Sequence, residues 1–326
     1  MDFKRWLAAL TMLLSMAAVG CEDKRIPAGE NSTSGRPTVV ATTNIMADVV
    51  SNLAGDQFNV VTIMPVGADP HAFQPSARQV AAVQDAAAII ANGAGLEYGL
   101  QDMIDSAQSD GVPVFEAISA VETVTFGSQS SSGSHGHDHE GDHSDELGPV
   151  DPHFFTDPVR MATSVDAIAE FLVTNVEPIS ADALRANARA YISELEALDA
   201  EVRQALSAIP VERRLVITNH EVLGYYGDRY EFTIVGSVIT AGSTANGVNA
   251  QVMAELAEAI EAKGVKVILS DISSSDEFAQ TLANEVDQVV VVGLFSESLG
   301  PAGSGGETYI EMVRTNTQRL VAAMAS

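Results

Sequence analysis

The chain has a single cysteine, Cys21, among its 326 residues, so no disulfide can form within it and a hydrophobic core must keep it folded. Basic residues are also scarce. The 17 Lys and Arg against 44 Asp and Glu leave a formal net charge of -27, which argues against recognition of nucleic acid through its phosphates and permits attraction of cations. The same acidity also serves simply to keep a secreted protein soluble. No apolar-periodic helix carries a His-Glu-x-x-His pair, and neither a Gly-x-Ser-x-Gly elbow nor a glycine-rich phosphate loop is present. With 46% hydrophobic residues the chain has ample material for a core, and its length favours two lobes.

Histidine is scarce too, at seven residues, but its distribution is uneven. Asp69-Pro70-His71 and Asp151-Pro152-His153 repeat one tripeptide, and His220 stands in Thr218-Asn219-His220-Glu221. The other four, His135, His137, His139 and His143, crowd into the polar stretch Gln129 to Glu146. Such concentration points to a metal: neutral imidazole is the commonest transition-metal ligand, and a proline before each repeated histidine limits backbone freedom where a preformed site needs it.

The N-terminus reads as an address. Lys4 and Arg5 precede an apolar stretch from Trp6 to about Val19, too short to span a bilayer and built like a secretory signal over residues 1–20. Ala18-Val19-Gly20-Cys21 resembles a bacterial lipobox, which makes Cys21 the lipidation site of an extracytoplasmic, membrane-anchored lipoprotein. The alternative is a soluble secreted protein cut nearby. Residues 21–36 are polar and lack the apolar content that offsets ordering entropy, so a flexible tether is expected.

From Pro37 the pattern is α/β. Strands are expected at Thr38–Thr42, Phe58–Met64, Ala87–Ala91 and Val112–Phe115, alternating with helices at Ile45–Leu53, Ser76–Gln84 and Glu97–Ala107, which implies a parallel sheet in a lobe spanning 37–178. The insertion at 129–146 has no apolar periodicity; it reads as an accessory metal-capturing loop or, alternatively, a solvated linker. Asp157-Pro158 opens a helix to about Val176. Leu184, Ala188, Tyr191, Leu195, Leu198, Val202 and Leu206 then form one stripe along a helix of about 27 residues, roughly 40 Å long, placed to link two lobes across 179–209. A second lobe, 210–326, repeats the alternation, with strands at Leu215–Thr218, Phe232–Val238, Val265–Leu269 and Gln288–Val292. His71, His220 and Glu297 are each expected just past the carboxyl end of a strand, where ligands bind in such sheets. A lone histidine or glutamate is usually bland; their joint placement suggests one cleft.

The series Gly-Ala-Asp-Pro-His, a histidine-rich insertion, Asp-Pro-His-Phe, a long helix, Asn-His-Glu-Val-Leu-Gly-Tyr-Tyr and Leu-Phe-Ser-Glu-Ser-Leu-Gly resembles the zinc/manganese-binding solute-binding lipoproteins of ABC importers over nearly the whole mature chain. The resemblance implies two similar α/β lobes joined by a rigid helix, with metal in the cleft between them. By motif position His71 and His153 come from the first lobe, and His220 and Glu297 from the second. It further implies a monomeric binding protein and not an enzyme, partnered by a permease and its ATPase, with the lobes separating or twisting on release. Three imidazoles with one carboxylate suit Zn2+, with Mn2+ the alternative cargo. Asp69, Asp151, Asn219 and Glu221 are candidates to orient the imidazoles. From another class, a secreted zinc hydrolase would need an open coordination position and a general base.

Overall fold

The computed structural model describes residues 35–127, 149–239 and 250–325, and residues from Arg36 onward form one compact unit. The signal stretch, Cys21, most of the tether and the insertion with His135, His137, His139 and His143 lie outside the described residues.

Short aliphatic runs give the first sheet: β1 (Thr38–Ala41), β2 (Asn59–Thr62), β3 (Ala88–Ala91) and β4 (Val114–Glu116), all parallel in the order β2-β1-β3-β4. The central strands β1 and β3 are almost wholly buried, whereas β2 and β4 at the edges are partly exposed, as the uninterrupted Val-Val-Ala and Ala-Ile-Ile-Ala sequences require. Between the strands run α1 (Asn44–Ala54), α2 (Ala77–Gln84) and α3 (Gln101–Ser109). The Thr43 side chain caps α1 by accepting the Met46 N–H, and Ser76 with Gln79 forms a capping box on α2.

Two long helices follow. In α4 (Pro158–Asn175) Asp157 is the cap and Pro158 the first residue, and α5 (Ala181–Leu206) has 26 residues, a length of about 39 Å. Its stripe from Leu184 to Leu206 is buried as the periodicity predicts. Then the alternation resumes with β5 (Leu215–His220), α6 (Gly224–Tyr230), β6 (Thr233–Ile239), α7 (Ala250–Lys263), β7 (Val267–Asp271), α8 (Glu277–Glu285), β8 (Val290–Leu294) and α9 (Tyr309–Met324). This sheet is also parallel, ordered β6-β5-β7-β8, the same topology as the first.

Two expectations need correction. His220 was placed beyond its strand, yet it is the last residue of β5, because pairing with β6 continues through a register shift at Val216/Ile217 as far as Ile239. Helix α6, hidden in Gly-Tyr-Tyr-Gly with two glycines of poor helix propensity, was not anticipated.

Side-chain alternation decides how the layers stack. Val39 and Ala41 point into a core shared with Val216, Val267 and Leu269 of the second sheet and with the α5 stripe. Their neighbours Val40 and Ile89, and Ile217 and Ile268, point away into two smaller outer cores. One continuous core therefore links the lobes along α5, a large apolar junction that resists wide opening.

Candidate metal centre

In each sheet the strand order reverses beside its first strand, and the carboxyl ends there form the crevice that holds ligands in open α/β sheets. After β2 the chain turns through Pro65 to Ala68, with Gly67 at a φ of 81°, to reach Asp69-Pro70-His71. Asp69 Oδ1 accepts the His71 backbone N–H at 2.9 Å, closing a local turn that points the imidazole inward.

The second tripeptide is held more tightly. Asp151 Oδ1 accepts both the backbone N–H of His153 at 2.9 Å and its ring Nδ1 at 2.7 Å. With its proton on Nδ1, the ring presents Nε2 as a donor atom. Two neighbours fix this segment. Asn92, itself anchored by the buried Glu97 carboxylate, which accepts its backbone N–H at 2.7 Å, donates its side-chain amide to the Pro152 carbonyl at 2.9 Å. From α6 the Tyr225 hydroxyl donates to the Asp151 carbonyl at 2.7 Å, and a Cβ at Gly224 would collide with the Asp151 carboxylate. Only glycine fits there, which accounts for the glycine in Val222-Leu223-Gly224-Tyr225.

His220 ends β5, and Glu297 lies in the loop after β8. Asp271, at the end of β7, braces that loop: its Oδ2 accepts the Ser296 N–H at 3.0 Å and the Glu297 N–H at 3.1 Å. Ser298 ties it to the first lobe by accepting from Asn44 Nδ2 at 3.0 Å and the Gly67 N–H at 2.7 Å, while Asn44 Oδ1 accepts the Leu299 N–H at 2.8 Å. A direct bridge thus joins the His71 loop to the Glu297 loop.

The structure brings His71, His153, His220 and Glu297 together, with one donor atom from each lying within 4.8 Å of all the others. Glu297 Oε1 is 2.5 Å from His220 Nε2, 3.2 Å from His153 Nε2 and 3.7 Å from His71 Nε2, and the His71 and His153 Nε2 atoms are 3.3 Å apart. The ring centroids are 5.4, 5.5 and 5.7 Å apart and steeply inclined, so the imidazole edges converge. Zinc bonds of about 2.0–2.1 Å in a tetrahedron set donor separations of about 3.3 Å. Three of the four close separations bracket that value, and the His220–Glu297 contact must widen by roughly 0.8 Å to admit an ion.

Electrostatics suits a cation. Burial opposes an imidazolium at His153, but the Glu297 and Asp151 carboxylates outweigh it and raise its pKa to about 10. Burial likewise opposes a charged Glu297, and His153 and His220 outweigh it, holding the carboxylate well below its usual range. The buried carboxylates thus favour positive charge at this point.

Asn219 and Glu221 do not orient His220 as expected. Asn219 Oδ1 is buried without a partner among the described residues, and Glu221 is half-buried with its carboxyl pushed up by desolvation. Asn92, Glu97 and Tyr225 were missed because nothing in their local sequence marks them; Asp271 had one signal, an acid at the end of an apolar strand. Sequence reading also passed over His139-Glu140-Gly141-Asp142-His143, which spells His-Glu-x-x-His and lies outside the described residues. No helix among the described residues is long and apolar enough to cross a membrane.

Comparison with known proteins places these features in context. The family described as zinc-uptake complex component A, periplasmic (ZnuA), matches residues 39–323. Similar proteins include the zinc-binding protein TroA of Treponema pallidum, 30% identical over 299 residues, which span 90% of this chain and 91% of that one. The manganese-binding lipoprotein MntA of Halalkalibacterium halodurans is 26% identical over 314 residues, 96% of each chain. Among solved structures, the periplasmic zinc binding protein TroA from Treponema pallidum superposes with a TM-score of 0.77 at 29% identity, over 90% of this chain and 100% of that one.

Proposed function

The chain belongs to the family of zinc-uptake complex component A, periplasmic, and from that premise we propose that it captures Zn2+ outside the cytoplasm and delivers it to the permease of an ABC importer driven by an ATPase. The observation that carries this reading is the convergence of three imidazoles and one carboxylate from both lobes on a single buried point. His71, His153, His220 and Glu297 are the proposed ligands. Three nitrogens and one oxygen complete a tetrahedral shell, which suits zinc and leaves no open position for a reactive water. The chain is an uptake component and not an enzyme.

Relatives named for zinc and relatives named for manganese both cover this chain almost fully, and one observation favours the second cargo: Glu297 Oε2 is buried without a partner among the described residues. If both carboxylate oxygens bind, the shell expands beyond four and moves toward manganese. Related proteins named lipoproteins support lipidation at Cys21, hence an extracytoplasmic position on the membrane surface. The four histidines of 129–146 are the proposed accessory, weaker metal sites. Because the lobes share a core, release is proposed to proceed through a small twist at the Asn44–Ser298 bridge and not by wide separation.

The test is elemental analysis of the protein from Arg36 onward, prepared without a histidine tag, with zinc and manganese competing at equal concentration. One tight zinc, retained after deletion of 129–146 and lost in His153→Ala, supports the proposal. Preference for manganese changes the cargo, and no tight metal at all overturns it.

A further inference from the structure

His153 has its second ring nitrogen fixed by Asp151, but His220 Nδ1 is buried and meets no hydrogen-bond partner among the described residues. Two nearby atoms share that condition. Thr218 Oγ1 and Asn219 Oδ1 are also buried and unpartnered, and Thr218, Asn219 and His220 are only 1%, 4% and 0% exposed. All three residues line one cavity of about 10 Å3 at the end of β5, which Ser270, Asp271 and Ser296 also line. Buried polar atoms are almost always paired, with protein or with ordered water, and a polar cavity of roughly 10–15 Å3 holds one water.

The chemistry of the imidazole decides what that cavity must supply. A ring that offers Nε2 to a metal carries its proton on Nδ1, and that N–H needs an acceptor. Thr218 lies two residues before His220 on β5, hence on the same face of the strand, about 6.6 Å along it. Both side chains line the same cavity, so one water there can bridge their unpartnered atoms.

We propose that this cavity holds one ordered water that accepts a hydrogen bond from His220 Nδ1–H and donates to Thr218 Oγ1, making Thr218 a positioning residue for the His220 ligand. Water thus does at His220 what a carboxylate does at His153. The inference rests on the reading that His220 binds metal.

The test compares Thr218→Val, which keeps the shape and removes the hydroxyl, with Thr218→Ser, which keeps the hydroxyl. Zinc affinity is measured by chelator competition, and the Co2+-loaded site is followed by its visible absorption. Thr218→Val is expected to weaken zinc by about 10–100-fold and to shift the Co2+ bands, while Thr218→Ser stays within about threefold of the parent. Zinc affinity and Co2+ bands unchanged in Thr218→Val overturn the proposal, as does an equal loss in both variants, which marks a packing effect. If Thr218→Val does not fold, a crystal structure of the zinc-loaded parent at atomic resolution decides: density for a water within hydrogen-bond reach of His220 Nδ1 supports it, and a dry cavity overturns it. A parent protein without tight zinc would instead sink the capture function itself.

Discussion

Asp69 and Asp151 each precede a histidine by two residues, and each accepts that histidine's backbone N–H at 2.9 Å. Beyond that turn the copies diverge. Asp69 is half-buried in a loop after the edge strand β2, and His71 retains a little exposure. Asp151 is buried beneath Gly224 and Tyr225 of α6, where its carboxylate also takes the His153 ring at 2.7 Å and helps raise that imidazole's pKa to about 10. The same tripeptide therefore yields one ligand at the mouth of the site and one locked at its floor. Local chemistry makes the turn, and burial decides what the aspartate does next.

The largest effect expected is at the floor. His153→Ala should abolish tight zinc and cost about 3–5 kcal/mol of metal-free stability, because Glu297 and Asp151 stay buried without their partner. His71→Ala should also lose tight zinc but cost only about 1 kcal/mol of stability. Zinc competition and denaturant melts on both proteins check this, and equal stability losses would break the contrast. Next in size, Asp151→Asn should weaken zinc by about 10–100-fold through the freed ring, whereas Asp69→Asn should change it by less than about fivefold. Similar losses would show that Asp69 too governs its imidazole.

The proton on His153 gives a third test. Its stabilising effect on the metal-free protein is complete below the ordinary value of 6.5 and is lost as pH rises through about 10. Glu297, depressed, stabilises above its ordinary 4.5 and loses that contribution as pH falls through its lowered value. Metal-free melting temperature should thus be highest between about pH 4.5 and 6.5 and decline on either side. Zinc binding between pH 6.5 and 10 should release close to one proton from His153, readable by calorimetry in buffers of different ionisation enthalpy. No release would place the proton elsewhere. Smallest of all, Tyr225→Phe removes one hydrogen bond to the Asp151 carbonyl and should weaken zinc by no more than about tenfold, roughly 0.5–1.5 kcal/mol.

Much of the frame was legible in the sequence because it follows from short-range periodicity. The stripe of α5 and the Asp157-Pro158 start of α4 each depend on residues no more than four positions apart. Strand ends were less legible. β5 runs on to His220 because β6 pairs with it, which the segment itself does not encode. The four proposed ligands could be named from residue type and resemblance, but their supports could not. Asn92, Tyr225 and Asp271 act across tens of residues on groups that look ordinary in sequence, and Glu97 acts through Asn92. The assignment of Asn219 and Glu221 to orient His220 failed for the same reason. Adjacency along a strand alternates side chains between faces and says little about which atom meets which.

By itself the sequence determined the Asx turns that aim His71 and His153, the alternation that builds two parallel sheets, the apolar stripe that seats α5 and the need for a core in place of disulfides. Each is settled within a few residues by dihedral preference, hydrogen-bonding reach or side-chain periodicity. Only the tertiary structure decided that donors as far apart as His71 and Glu297 approach within 4 Å, that Asp151 governs a ring and that His220 and Thr218 line one small cavity. Those outcomes depend on strand order, on the close fit of Gly224 and on exclusion of water, and no short segment contains them.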